Sequence, residues 1–273
     1  TLLNSEIYKT RAEILGFALK SAYSDIRQEV LLELEARKKE SWVLEIITEM
    51  LNDPASEIRS ASFKLLQGSD KDIKIVYKDA LNSKYDDVRY QALDLLLNSK
   101  KKDENIFSMI DSCTNDNSLK VRQKALQGLI DNKCLKILEK ALTSEYQDIR
   151  VGAAKAQASY GIKSSLEPLL EFIRSKEPDE KKEEWRSSVR EAIKGLIFLG
   201  DSSSYEDIKN LIIEPNGYFN KDAAEAIRFV ATKDNKEDLL QLFASPVVYI
   251  KYEIGLAMSA IEDQRSASEV FSK

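Results

Sequence analysis

One eight-residue phrase recurs five times in this chain, and that recurrence constrains the fold more than any other feature. The copies are SDIRQEVL at 24–31, SEIRSASF at 56–63, DDVRYQAL at 86–93, LKVRQKAL at 119–126 and QDIRVGAA at 147–154. Their shared basic residue gives five anchors: Arg27, Arg59, Arg89, Arg122 and Arg150. A sixth, Arg190, lies in SSVREAIKGL, and Lys221 and Lys251 hold the same offset from the apolar residues that follow them. The anchors are spaced by 32, 30, 33, 28, 40, 31 and 30 residues. Self-similarity at this period marks small units that stack on one another because none can bury its own apolar face.

Within a unit the period is helical. Val88, Ala92, Leu95 and Leu96 fall on one helical face, and Asp86 or Asp87 is predicted to cap that helix at its positive end. A second amphipathic segment precedes each anchored one, as with Val43, Ile46, Ile47 and Met50. Short polar connections such as Asn52-Asp53-Pro54 separate the two, and Pro54 suits a first helical turn. Each unit therefore reads as helix A, turn, helix B. Ala92, Ala125, Ala153 and Ala224, three residues after their anchors, predict close helix approach. Asp25, Glu57, Asp87 and Asp148, two residues before theirs, predict an Arg–acid ladder between successive units.

This D-[IV]-R-x-x-A pattern resembles HEAT repeats, especially the short bacterial kind, over about residues 5 to 262. The resemblance implies an all-α, right-handed α-solenoid of about eight helix-turn-helix repeats, forming a single domain over residues 1–273. Because the chain begins at Thr1 and not Met, it is expected to be part of a longer protein. Two interruptions stand out. A charged insertion at about 175–185 ends in Trp185 and is expected to be a solvated, dispensable loop. A turn at 214–219 carries Tyr218 and Phe219.

Composition matters mainly for what it excludes. The chain has no His, which removes imidazole chemistry and His-dependent metal sites. That absence also excludes the deoxyhypusine hydroxylase family, HEAT-like enzymes that use His-Glu metal motifs. Cys113 and Cys134 form neither a disulfide framework nor a zinc signature. A net charge of −5 argues against general nucleic-acid binding and the HEAT-like DNA glycosylases. No apolar run is long enough to span a membrane. No phosphate loop or calcium loop is present, so no catalytic residue, metal ligand or cofactor is predicted.

In HEAT-like arrays the B helices line the concave side. Positions one, two and five after each anchor are expected to face outward there. In units one to four they are Gln28, Glu29, Leu32, Ala61, Lys64, Tyr90, Gln91, Asp94, Gln123, Lys124 and Gln127, a set that is long and polar as a whole, and in the later units they are shorter and more apolar. A partner helix or extended segment is expected in that groove, against Tyr90, Gly152, Lys155, Ala192, Gly195, Ala223, Ala226 and Tyr252, with Trp185 as a further candidate anchor. The function expected from this reading is a non-catalytic protein–protein interaction scaffold or adaptor in a larger assembly, with a bacterial envelope or motility complex as one setting. The alternative is a HEAT-like enzyme, bilin-lyase-like or a DNA-repair protein. The cytoplasm is favoured, and the periplasm stays open because the native N-terminus is not shown.

Overall fold

The computed structural model describes residues 13–100, 102–215 and 217–271. Among them all regular structure is helical, so the chain is all-α. It divides into two compact units, Thr1–Gly128 and Leu129–Lys273. In the first unit, residues 13–18 are helical and are followed by α1 (Ser24–Glu35), α2 (Ser41–Glu49), α3 (Ser56–Gln67), α4 (Ile73–Leu81), α5 (Asp86–Asn98) and α6 (Glu104–Cys113). Helix α7 (Leu119–Asp131) carries the chain into the second unit. There α8 (Leu135–Ala141), α9 (Gln147–Ser159), α10 (Leu166–Arg174), α11 (Lys182–Leu199), α12 (Tyr205–Ile213), α13 (Asn220–Val230), α14 (Lys236–Phe243) and α15 (Val248–Phe271) follow.

Each recurring phrase forms a B helix, and each preceding amphipathic segment forms its A helix. The apolar stripes meet between them. Leu34, Ile47, Leu66 and Val76 are fully buried in the core of the first unit, and Leu169, Ile193, Ile208 and Ile227 in that of the second. Burying a side chain of this size is worth about 1.5–3 kcal/mol, which is why stacked hairpins hold where a lone hairpin would not.

The anchors have one local task in common. Nη1 of each Arg reaches back six residues to a carbonyl of the inter-helix turn: Arg27 to Ser21, Arg59 to Asp53, Arg89 to Ser83, Arg122 to Asp116 and Arg150 to Ser144, at 2.7–3.4 Å. The fork of the guanidinium then points to the next repeat. Arg27 makes two hydrogen bonds to Asp53, at 2.7 and 2.8 Å. Arg59 reaches Asp87 at 2.6 Å. Arg89 makes two to Asp116, at 2.6 and 2.8 Å.

The ladder exists, with a revised choice of rungs. Arg59 uses the acid two before the next anchor. Arg27 and Arg89 take an acid in the turn, because Asp53 and Asp116 are already held there by the amides of Ala55 and Ser118. Arg150 has no carboxylate partner among the described residues, and the position that would supply one is Ser188. Lys221 and Lys251 are exposed and take no ion-pair partner among the described residues. They continue the spacing of the anchors without their role.

The helix-capping expectation is corrected. Tyr85 stands at the N-cap of α5 without a side-chain cap, while Asp86 and Asp87 lie in the first turn. Capping acids belong instead to A helices: Asp72 accepts from the Lys74 amide and Asp103 from the Ile106 amide. Pro54 precedes α3 rather than opening it.

Residues 175–184 of the insertion are exposed apart from half-buried Glu177, and its end is helical. Lys182–Glu184 form the first turn of α11, which is extended to 18 residues. Glu177 pairs with Arg186 at 2.5 Å. Arg186 in turn lies 3.7 Å from the Tyr218 ring centroid. Trp185 donates Nε1–H to Ser175 Oγ at 2.7 Å and meets Phe219 edge-on at 5.5 Å. The two interruptions of the repeat thus pack against one another.

Candidate functional site

The structure separates the nine residues expected at the partner groove. Ala192, Ala223 and Ala226 are completely buried, Gly195 is buried, and Trp185 is 9% exposed. Gly152 and Lys155 are half-buried, while Tyr252 is 64% exposed. Tyr90 is half-buried beneath Lys124, whose Nζ lies 4.6 Å from the ring centroid. The small residues therefore do not floor an open groove. A Cβ placed on Gly195 would stand 2.7 Å from Leu169 Cδ2. Gly195 is thus where α11 touches α10, its own A helix. A Cβ on Gly128 would likewise collide with Leu97.

The expected outward positions on the first two B helices do form a site. Gln28, Leu32, Ala61 and Lys64 line a cavity of about 270 Å³ between α1 and α3. Its apolar part is Leu31, Leu32, Ala61 and Leu65, with Leu32 57% exposed in an otherwise polar neighbourhood. Its polar part is Gln28, Glu35, Lys38 and Lys64. Neither lysine has an ion-pair partner among the described residues. Lys38 is half-buried, at the point where the chain leaves α1. The site follows from local sequence: α1 and α3 present one face to each other in the core, and the next helical face of each opens into the cavity.

Elsewhere the same face of the B helices is occupied by its own charges. Asp94 on α5 pairs with Lys124 on α7 at 2.5 Å. Lys155 on α9 pairs with Glu191 on α11. Arg228 on α13 reaches Glu253 on α15 at 3.1 Å. Burial pushes the Glu191 carboxyl upward, but hydrogen bonds from Lys155 and Lys194 outweigh it and leave it below the usual glutamate range. Each of these pairs joins two successive B helices. The first two B helices lack such a pair, and there the cavity keeps its lysines unneutralised.

Reactive groups are few. Burial pushes the Cys113 thiol up to about 12 and raises that of Cys134, which leaves both as thiols at neutral pH. No group of three or more His, Cys, Asp or Glu side chains suited to a metal ion occurs among the described residues. No described helix is long and apolar enough to cross a membrane.

No known protein family matches the chain, and no curated protein does. Among solved structures, human deoxyhypusine hydroxylase in complex with glycerol is similar at a TM-score of 0.37 and 14% identity, over 96% of this chain and 100% of that one. A likeness at that level carries neither fold nor activity to this chain. The expected role as a scaffold built on that groove is corrected by the chain's own packing: the small-residue floor assigned to a partner is packed shut.

Sequence reasoning found four of the cavity's residues but set that face aside as merely polar. Leu32, an apolar residue among Gln28, Glu29 and Glu33, was the signal available.

Proposed function

We propose that this chain is a HEAT-like repeat protein nearer to the enzymatic alternative named above, on its bilin-lyase-like side, and that the cavity between α1 and α3 is where it holds a small-molecule ligand. The single observation that carries the reading is the combination of an apolar floor with convergent unneutralised polar groups in one concavity, the usual make-up of a small-molecule site. The repeat assignment is supported by the five identical Arg-to-turn hydrogen bonds, each returning six residues. On this reading each compact unit is a short α-solenoid. The described residues of the site supply binding and orientation. A nucleophile is not among them.

The test is saturable binding of a neutral environment-sensitive dye, N-phenylnaphthylamine, followed by fluorescence. One site per chain is expected. Leu32→Glu puts a charge into the apolar floor and weakens the dye by about tenfold or more. Leu32 is exposed, so circular dichroism should remain that of the parent chain. Absence of saturable binding, or unchanged binding by a folded Leu32→Glu variant, rejects the site.

A further inference from the structure

We infer that the ligand of this cavity is a single-chain anionic amphiphile, a carboxylate or phosphate monoester carrying a short hydrocarbon tail. This deepens the site reading above and rests on it.

The charge around the cavity points to an anion. Lys38 and Lys64 face it with only Glu35 opposing them, which leaves one positive charge uncompensated. That local excess stands out in a chain whose net charge is −5. Further along the chain three B-helix cations are matched to a carboxylate: Lys124 to Asp94, Lys155 to Glu191 and Arg228 to Glu253. Lys38 and Lys64 converge on the cavity without such a match among the described residues. An ammonium group is a compact charge on a flexible stem, suited to a carboxylate or phosphate approached from one side.

The volume and lining set the rest of the molecule. About 270 Å³ is room for roughly nine water-sized groups at about 30 Å³ each. A tail of about seven or eight carbons with its head group is of that size. Leu31, Leu32, Ala61 and Leu65 offer the tail an aliphatic wall with no aromatic ring to stack on, so a planar base or sugar has nothing to recognise it. Both lysines can reach inward along their own methylene stems and leave the charge at the rim. The head then sits at the rim and the tail lies on the leucines. A cavity of this size takes one free chain, and the two tails of a bilayer lipid exceed it.

The experiment compares octanoate, octyl phosphate and octanol by isothermal titration calorimetry on the full chain, with vesicles of phosphatidylglycerol as a fourth arm. Octanoate and octyl phosphate are expected to bind one per chain. Octanol should be at least about tenfold weaker, and the anions should weaken as salt is raised. Lys38→Met with Lys64→Met keeps the stems and removes the charges. It should lower octanoate affinity about tenfold and octanol affinity by much less. Equal binding of octanol and octanoate, with the dye still bound, overturns the anionic ligand and leaves the site reading standing. Loss of all four together with the dye overturns both. Binding to the vesicles without binding of octanoate or octyl phosphate overturns the single-chain ligand in favour of a membrane surface.

Discussion

Arg89 shows what an anchor contributes. It is 8% exposed, makes two hydrogen bonds to Asp116 and a third to the Ser83 carbonyl, and so joins its own turn to the next repeat. The hydrogen bonds it donates to Asp116 raise its already high pKa further, so it is charged at any working pH. Arg89→Ala strands the Asp116 carboxylate, and breaking a buried pair from one side costs about 3 kcal/mol or more. Chemical denaturation should show that loss, whereas dye binding at the α1–α3 cavity should be unchanged in the folded fraction. A variant of parental stability would show that the ladder is ornamental. Gly195 makes the converse point. Its contact with Leu169 leaves no room for a methyl group, so Gly195→Ala should destabilise by about 1–3 kcal/mol through overpacking. Parental stability in that variant would mean that α10 and α11 separate easily. From sequence alone Gly195 looked like floor space for a partner. A glycine facing a neighbouring helix and one facing solvent read alike when only the spacing on their own helix is known.

The elements that broke the repeat turned out to support each other. Trp185 at the start of α11 and Phe219 before α13 meet edge-on, with Arg186 over Tyr218 beside them. Trp185→Ala should therefore cost about 3–5 kcal/mol, the usual range for emptying a buried aromatic site. Thermal melting followed by circular dichroism would measure it, and a loss below about 1 kcal/mol would return Trp185 to the role of an exposed anchor. The A and B helices and their buried alanines were legible in the sequence because a helical period repeats and each copy confirms the others. The burial of Trp185 at the end of the insertion was not, because its partner Phe219 lies in a turn about thirty residues away, outside any local pattern. The cavity was half legible. Gln28, Leu32, Ala61 and Lys64 fall at the expected outward positions, but Lys38 lies beyond the end of α1, where helical spacing no longer places a side chain.

Across the whole molecule, stability should depend on carboxylates held charged. Hydrogen bonds from Ser118 and Lys120 lower the Asp86 pKa, those from the Ser203 hydroxyl and amide lower that of Asp201, and Lys155 and Lys194 outweigh burial at Glu191. A carboxyl whose pKa falls on folding stabilises the native state above its unfolded value, and that contribution is lost as pH drops through the folded one. The melting temperature should accordingly be flat near neutrality and fall from about pH 5 downward. A melting temperature that held or rose over that range would show that these pairs do not favour the folded chain. The distribution of charge also sets the functional account apart from its rivals. Three cross-repeat ion pairs neutralise B-helix charges further along the chain, whereas between α1 and α3 two lysines, unpaired among the described residues, stand beside exposed Leu32. The most direct measurement is methyl-resolved NMR of leucine-labelled protein titrated with octanoate. The account predicts saturable shifts confined to Leu31, Leu32 and Leu65, abolished by Leu32→Glu at the remaining two. Shifts that fall on other leucines, or none at all at millimolar octanoate, would contradict it.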